Sequence, residues 1–82
     1  MDARILVVDD EPEIADLVEV YLKSEGCTVF KCGTGTEALA VVREQPLDLA
    51  ILDVMLPDIS GLTLCGEIRK EHHFPVLMLT AK

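Results

Sequence analysis

The sequence lacks a long apolar run, paired cysteine motifs and a secretory leader. No apolar stretch approaches the roughly 18 residues that a membrane-spanning helix requires, and the N-terminal region carries only a short apolar run. The three cysteines, Cys27, Cys32 and Cys65, are odd in number and do not show the spacing of disulfide or zinc motifs. We therefore expect a cytoplasmic protein with reduced thiols and no membrane partner.

Basic residues are also scarce. Fifteen Asp and Glu residues stand against seven Lys and Arg residues, which gives a formal net charge of −8. Direct binding of nucleic acid depends on basic patches, so this balance argues against it and suggests an affinity for metal cations. Half of the 82 residues are hydrophobic, so one small packed domain is expected and disorder is not.

Three apolar runs of strand length each end in a polar side chain. They are residues 5–8 before Asp9 and Asp10, residues 49–52 before Asp53, and residues 76–79 before Thr80. Short continuous apolar runs of this kind predict buried strands of a parallel sheet. Ligands of open α/β sheets bind just beyond the carboxyl ends of the strands, so we expect the chemistry of the protein at that edge.

Helical patterns separate the strands. The first helix is predicted from Pro12 to just before Gly26, with an apolar stripe expected to pack on the sheet: Ile14, Leu17, Val18, Tyr21 and Leu22. An edge strand is predicted at residues 27–32, and a second helix from the capping-box pair Thr34 and Glu37 to about Gln45. A third helix is expected after Ser60, with one apolar face formed by Leu62, Cys65 and Ile68. This alternation predicts one α/β domain with a doubly wound parallel sheet, in the order βαβαβαβ.

The carboxylates of Asp9, Asp10 and Asp53 are predicted to meet at the ends of adjacent central strands. A hard divalent cation relieves the repulsion between crowded carboxylates, and Mg²⁺ takes one or two of them together with a phosphate oxygen. Taken singly, Asp9 and Asp10 also fit a plain helix N-cap, and Asp53 fits a turn. Taken together with Thr80, they favour a Mg²⁺-assisted site for an anionic phosphoryl group.

Three motifs resemble those of the receiver domain of bacterial two-component response regulators. They are residues 7–11 (Val-Val-Asp-Asp-Glu), residues 53–57 (Asp-Val-Met-Leu-Pro) with Ser60 and Gly61, and residues 79–82 (Leu-Thr-Ala-Lys). The resemblance covers the whole chain and implies a flavodoxin-like fold, of which only the first βαβαβαβ portion is present. Residues 13–19 and the Leu56-Pro57 loop further resemble regulators with a winged-helix DNA-binding domain, such as those of vancomycin resistance.

The resemblance implies a role for each site residue. Asp53 would accept a phosphoryl group from a sensor histidine kinase, and the full-length protein would control transcription. Asp9, Asp10, Asp53 and the backbone carbonyl of Met55 would hold Mg²⁺. Thr80 would hydrogen-bond a phosphoryl oxygen and act as the switch. The resemblance implies a phosphoacceptor and not a turnover enzyme.

A complete receiver of this family continues beyond the fourth strand with a fourth helix, a fifth strand and a fifth helix. We therefore expect residues 1–82 to be an incomplete receiver domain without an effector domain, and contact with DNA only through that missing domain. The family's essential lysine ends the fifth strand, so Lys82 is not given its role. Residues 76–79 would form an open apolar edge, through which we expect a homo-oligomer.

Three alternatives remain open at this point. An aspartyl-nucleophile phosphatase would place a general acid-base two residues after the nucleophile, where this chain has Met55, whose side chain cannot transfer a proton. The second alternative is a fragment that binds a kinase, or oligomerises, without being phosphorylated. A flavodoxin-like nucleotide binder is the weakest, because no glycine-rich loop follows the first strand.

Overall fold

The fold was obtained as a computed structural model, which describes residues 2–79. Four strands alternate with three helices over this range: β1 (Arg4–Val8), α1 (Pro12–Ser24), β2 (Thr28–Cys32), α2 (Gly35–Glu44), β3 (Leu49–Asp53), α3 (Gly61–Arg69) and β4 (Val76–Leu79). The predicted order of elements is confirmed, and the helix boundaries lie within two residues of those expected. Strands β1 and β3 each contain the apolar run that predicted them and extend one residue beyond it, to Arg4 at the start of β1 and to Asp53 at the end of β3.

The four described strands form one parallel sheet in the order β2-β1-β3-β4. Within residues 2–79, β2 lies at one edge, as its mixed composition predicts. The chain passes from β2 over β1 to reach β3, so the strand order reverses between β1 and β3. In a doubly wound sheet this reversal opens a crevice beyond the carboxyl ends of the two strands. The predicted α/β doubly wound fold is confirmed.

The two faces of β1 belong to two separate apolar clusters. Ile5 and Val7 pack with α1 residues on one face, whereas Leu6 and Val8 face α2 and α3 on the other. All four side chains are almost completely buried. This explains why β1 is a continuous apolar run and not an alternating one, as expected for a strand covered on both faces.

The apolar stripe predicted for α1 is only partly the face that packs on the sheet. Ala15 is buried, and Val18 and Leu22 pack beside it against the cluster beneath the helix. Leu17 and Tyr21, which were expected in the core, are 71% and 68% exposed. The prediction was wrong for these two because an apolar arc wider than one contact surface does not reveal which part meets the sheet.

The buried face of α3 also differs from the prediction. Leu64 and Ile68, one helical turn apart, are fully buried, while Leu62 is 63% exposed. Cys65 is half-buried against the same cluster. The prediction is therefore confirmed for Cys65 and Ile68 and wrong for Leu62, because the packing of α3 over β3 and α2 buries Leu64 instead.

The ends of the helices follow the predicted capping residues. Gly26 follows α1 with a φ of 84°, a left-handed conformation that glycine adopts without strain. Thr34 accepts a hydrogen bond from Glu37 N, and Ser60 accepts one from Leu62 N. Glu11 occupies the N-cap of α1, where it makes no side-chain capping hydrogen bond.

Among residues 2–79, no helix combines the length and the apolar character that crossing a bilayer would require. All three cysteines are free thiols.

Candidate functional site: an acidic cluster at the reversal of strand order

Three of the predicted site residues meet where the strand order reverses. Asp9 and Asp10 follow β1 directly, and Asp53 is the last residue of β3. One carboxylate oxygen from each lies within 4.8 Å of the others. Asp9 and Asp53 are only 5% and 3% exposed, whereas Asp10 lies at the surface. The sheet topology therefore brings together acids that are 44 positions apart in the chain.

The two buried acids are held by the same local arrangement. Asp9 Oδ1 accepts a hydrogen bond from Glu11 N at 2.9 Å, and Asp53 Oδ1 accepts one from Met55 N at 3.1 Å. In both aspartates, the side chain accepts a hydrogen bond from the backbone N–H two residues later, which is the arrangement called an Asx-turn. Each carboxylate is fixed through one oxygen and keeps its other oxygen available.

Crowding and burial disfavour a negative charge at Asp9. Burial raises the pKa of the Asp9 carboxyl above its ordinary value, and the nearby charges of Asp53, Glu11 and Asp10 raise it further. The hydrogen bond from Glu11 N opposes this shift in the pKa of Asp9. A positive charge placed among the three carboxylates would reverse the effect, because it stabilises the ionised form.

The donor set fits a hard divalent cation. It consists of carboxylate oxygens alone, and oxygen ligands are those that Mg²⁺ prefers; a site with few carboxylates also leaves room for the waters that Mg²⁺ retains. No cysteine or histidine belongs to the group, which disfavours zinc.

The end of β3 is pressed against the start of α3. A Cβ atom at Gly61 would lie 2.0 Å from the carbonyl oxygen of Asp53 and 2.9 Å from the Cα of Val54. Gly61 N donates a hydrogen bond to the Val54 carbonyl at 2.8 Å. Only glycine allows this approach, so Gly61 fixes the backbone that carries the Asp53 carboxylate.

The loop between β3 and α3 is also bound to α2, which the sequence did not reveal. Asp58 accepts hydrogen bonds from Gly35 N at 2.8 Å, Thr36 N at 2.9 Å and Thr36 Oγ1 at 2.7 Å. These bonds, above all the one from Gly35 N, hold the pKa of the Asp58 carboxyl well below its usual range. Nothing in the local pattern of an aspartate after a proline indicates a partner 22 residues away.

Of the other residues predicted for the site, the structure describes Met55 but not Thr80. The Met55 side chain is 65% exposed, and its backbone N–H is the group that contacts Asp53. Thr80 and Lys82 lie outside the described residues. Next to the acids is a surface depression lined by Asp9, Asp10, Pro12, Ala15, Asp16, Lys31, Cys32 and Gly33, so the cluster is open to solvent on the β2 side.

Comparison with known proteins shows that the chain matches one protein family. The sequence model described as the response regulator receiver domain matches residues 5–82. The regulatory protein VanR of Enterococcus faecium is 58% identical over all 82 residues, and VanRc of Enterococcus gallinarum is 57% identical over the same length. The chain spans 36% of the length of each of these two relatives. The resemblance to regulators of this type is confirmed.

Solved structures with the same fold include several response regulator receiver domains. The response regulator TrrA of Thermotoga maritima, solved with Mg²⁺ and BeF, superposes with a TM-score of 0.90 at 44% identity, over 98% of this chain and 70% of that one. The same protein solved with the histidine kinase ThkA gives 0.89 at 45% identity, over 96% of this chain and 69% of that one. A receiver domain from Methanospirillum hungatei gives 0.95 at 32% identity, over 100% and 66%.

Proposed function

Since this chain belongs to the response regulator receiver family, we propose that it accepts a phosphoryl group on Asp53 from a histidine kinase, in a transfer assisted by Mg²⁺. The observation that carries the proposal is the cluster of Asp9, Asp10 and Asp53, whose oxygens lie within 4.8 Å of one another at the reversal of strand order. The structure of TrrA solved in complex with Mg²⁺ and BeF supports the proposal that a receiver of this fold binds the cation.

The residues of this chain would share the work as follows. A carboxylate oxygen of Asp53 bonds to phosphorus while the P–N bond to the kinase histidine breaks, and the leaving imidazole nitrogen keeps the electron pair. Asp9, Asp10, Asp53 and the Met55 carbonyl would hold Mg²⁺, which supplies charge neutralisation for the transferred group. The bond from Met55 N fixes one oxygen of Asp53 and leaves the other free to attack.

Thr80 keeps its predicted role within this proposal. Its hydroxyl would hydrogen-bond a phosphoryl oxygen and move towards it; in the sequence, Thr80 directly follows Leu79, the last residue of β4. The role is supported by the end of β4, where the Leu79 carbonyl accepts a hydrogen bond at 3.2 Å from the N–H of Val54, the residue after Asp53. A two-state response of this kind would require an ordered output surface.

The same family membership guides the partners we propose. A sensor histidine kinase is the phosphodonor, supported by the ThkA complex of TrrA. We further propose that residues 1–82 are the first part of a receiver domain, and that transcription control and DNA contact belong to an effector domain of the longer protein. The VanR relatives, of which this chain spans 36%, support this division. The cytoplasmic location remains a prediction, supported by three free thiols.

Mass spectrometry tests the phosphoacceptor directly. The chain is treated with acetyl phosphate and Mg²⁺, and its mass is compared with that of Asp53→Asn treated in parallel. We expect a gain of one phosphoryl group in the wild-type chain, none in Asp53→Asn, and none when EDTA replaces Mg²⁺. A gain that persists in Asp53→Asn would place the phosphoryl group elsewhere and overturn the assignment.

The two alternative functions, a binding fragment and a phosphatase, would give different results in binding and hydrolysis assays. A chain that binds the kinase but gains no phosphate would be a binding fragment. Continuous hydrolysis of a phosphoester would indicate a phosphatase, although the exposed thioether of Met55 offers no proton to a leaving group. We propose a phosphoacceptor that does not turn over, because the position two residues after Asp53 carries no acid or base.

We also propose that the free edge of β4 pairs with a second copy of the chain. Among the described strands, β4 is hydrogen-bonded only to β3, and Leu77 on this strand is 55% exposed. An unpaired edge with apolar side chains favours pairing with another strand. Light scattering over a range of concentrations measures whether this association occurs.

A further inference from the structure

Asp58 connects the loop of the phosphoacceptor to a helix that takes no part in the proposed chemistry. Its carboxylate accepts three hydrogen bonds from the first turn of α2, all between 2.7 and 2.9 Å. Asp58 lies three residues after Met55 and five after Asp53. The loop tip is therefore bound to α2 while the loop base ends in the site.

The start of α2 is built to receive this loop. Thr34 Oγ1 accepts from Glu37 N, and Asp58 accepts from the two preceding backbone N–H groups, those of Gly35 and Thr36. The first turn of a helix leaves such N–H groups without partners inside the helix. Here the N-cap residue Thr34 and the loop residue Asp58 accept hydrogen bonds from these N–H groups. The helix dipole also favours the negative charge of Asp58 at this end of α2.

An apolar contact holds the same junction from a second side. A Cβ atom at Gly35 would lie 2.5 Å from Cγ1 of Ile59, so the loop lies directly on the helix start. Gly35 is buried there. The loop residues Asp58 and Ile59 thus fix both the direction and the distance of the loop from α2.

The base of the loop is fixed equally closely. Gly61 N donates to the Val54 carbonyl at 2.8 Å, and Met55 N donates to Asp53 Oδ1 at 3.1 Å. Met55 lies between the fixed base and the bound tip, two residues after Asp53 and three before Asp58, so a shift of the tip would redirect the Met55 carbonyl. Mg²⁺ demands nearly ideal octahedral geometry, so it is sensitive to the direction of each ligand.

We propose that Asp58 is a positioning residue for the metal site, which sets the affinity for Mg²⁺ by binding the β3–α3 loop to the start of α2. The inference rests on the proposed function, since it takes Met55 and the acidic cluster as the ligands. It goes beyond that function because the hydrogen bonds of the Asp58 carboxylate link the loop to Gly35 and Thr36 in α2, which are not among the proposed metal ligands.

Isothermal titration calorimetry with MgCl₂ alone tests the inference on the 82-residue chain, without phosphorylation. Removing an interaction that orients a metal ligand typically lowers affinity about 10- to 100-fold. We therefore expect the Kd of Asp58→Ala for Mg²⁺ to rise at least about ten-fold. Asp58→Asn, which keeps one acceptor oxygen, should fall between the alanine variant and wild type.

Thr34→Ala is the matched control. It removes a capping bond from the same helix end but leaves the loop bound, so its stability should fall while its Kd for Mg²⁺ stays that of wild type. Urea unfolding in EDTA measures the stability of each variant. Equal losses of affinity in Asp58→Ala and Thr34→Ala would show an effect of stability alone and overturn the inference.

The two proposals fail differently in this experiment. If wild type binds Mg²⁺ and Asp58→Ala binds it equally well, only the role of Asp58 is refuted. If wild type itself binds no Mg²⁺, the proposed metal site is refuted, and the role of Asp58 with it.

Discussion

Gly61→Ala should damage the site through a single methyl group. The added Cβ would lie 2.0 Å from the Asp53 carbonyl oxygen and 2.8 Å from its carbon, and real Cβ contacts essentially never fall below 3.0 Å. The strand end and the helix start must therefore separate by at least about 1 Å. Both partners are backbone, so no flexible side chain can move aside. Overpacking of this kind costs about 1–3 kcal/mol, out of a total stability of about 4–12 kcal/mol expected for a chain of this length.

The same displacement should reduce phosphorylation more than stability alone explains. A misplacement of about 1 Å can lower a reaction rate about 100-fold. The rate of phosphorylation by acetyl phosphate and Mg²⁺, followed by mass spectrometry, is compared with the free energy of unfolding in urea. Gly66→Ala is the control, because Gly66 lies in α3 with nothing within 4 Å of its would-be Cβ. It should gain about 0.5–1 kcal/mol from helix propensity and keep its rate. If Gly61→Ala keeps both the wild-type stability and the wild-type rate, the close approach is refuted.

Three further predictions concern the acids, the thiols and the sheet edge. Burial raises the pKa of Asp9, so in EDTA the contribution of this carboxyl to stability is full below its unfolded pKa and is lost as the pH rises through its folded pKa. Asp9→Asn should therefore raise the urea midpoint of unfolding at neutral pH and abolish stabilisation by Mg²⁺. A lower urea midpoint for Asp9→Asn would contradict this. Burial raises the pKa of Cys32 to about 11, so only about one thiol in a thousand is ionised at pH 8. Ellman's reagent at that pH should react with the half-buried Cys65 in the folded chain and with Cys32 only on unfolding, and equal rates would disprove the burial. Leu77→Lys should reduce association in light scattering with a stability change within about 0.5 kcal/mol, while a wild-type chain that is monomeric at every concentration would refute pairing through β4.

The fold and the acidic cluster were predictable from sequence because both depend on short-range patterns. Apolar runs of four or five residues mark strands buried on both faces, and the alternation with helices leaves few arrangements of the sheet. Asp9 and Asp53 could then be placed together without knowing any contact, since the carboxyl ends of neighbouring parallel strands share one edge. Caps such as Thr34 with Glu37 and Ser60 are equally local, and the structure contains both.

What could not be predicted depends on pairs of residues far apart in the chain. The bonds from Asp58 to Gly35 and Thr36 span 23 and 22 positions, and the sequence has no signal for them. The exposed positions of Leu17 and Leu62 were missed for a related reason: an apolar pattern on a helix shows which arc prefers burial, but only the packed neighbours decide which part of that arc is covered.

Repulsion among the crowded carboxylates costs the protein stability, and the contacts of the β3–α3 loop explain how the acids nevertheless remain in place. Asp9 and Asp53 are both buried, and the raised pKa of Asp9 shows that its negative charge is unfavourable there. Separation of β1 from β3, or release of the loop, would relieve that repulsion. The close approach of Gly61 fixes the end of β3 against α3, and the hydrogen bonds that Asp58 accepts fix the loop against α2, so both contacts oppose such movements. The fold therefore holds the carboxylates in an arrangement whose repulsion a divalent cation would relieve. Binding of Mg²⁺ and resistance to unfolding should rise together, since a ligand that binds only the folded state stabilises it.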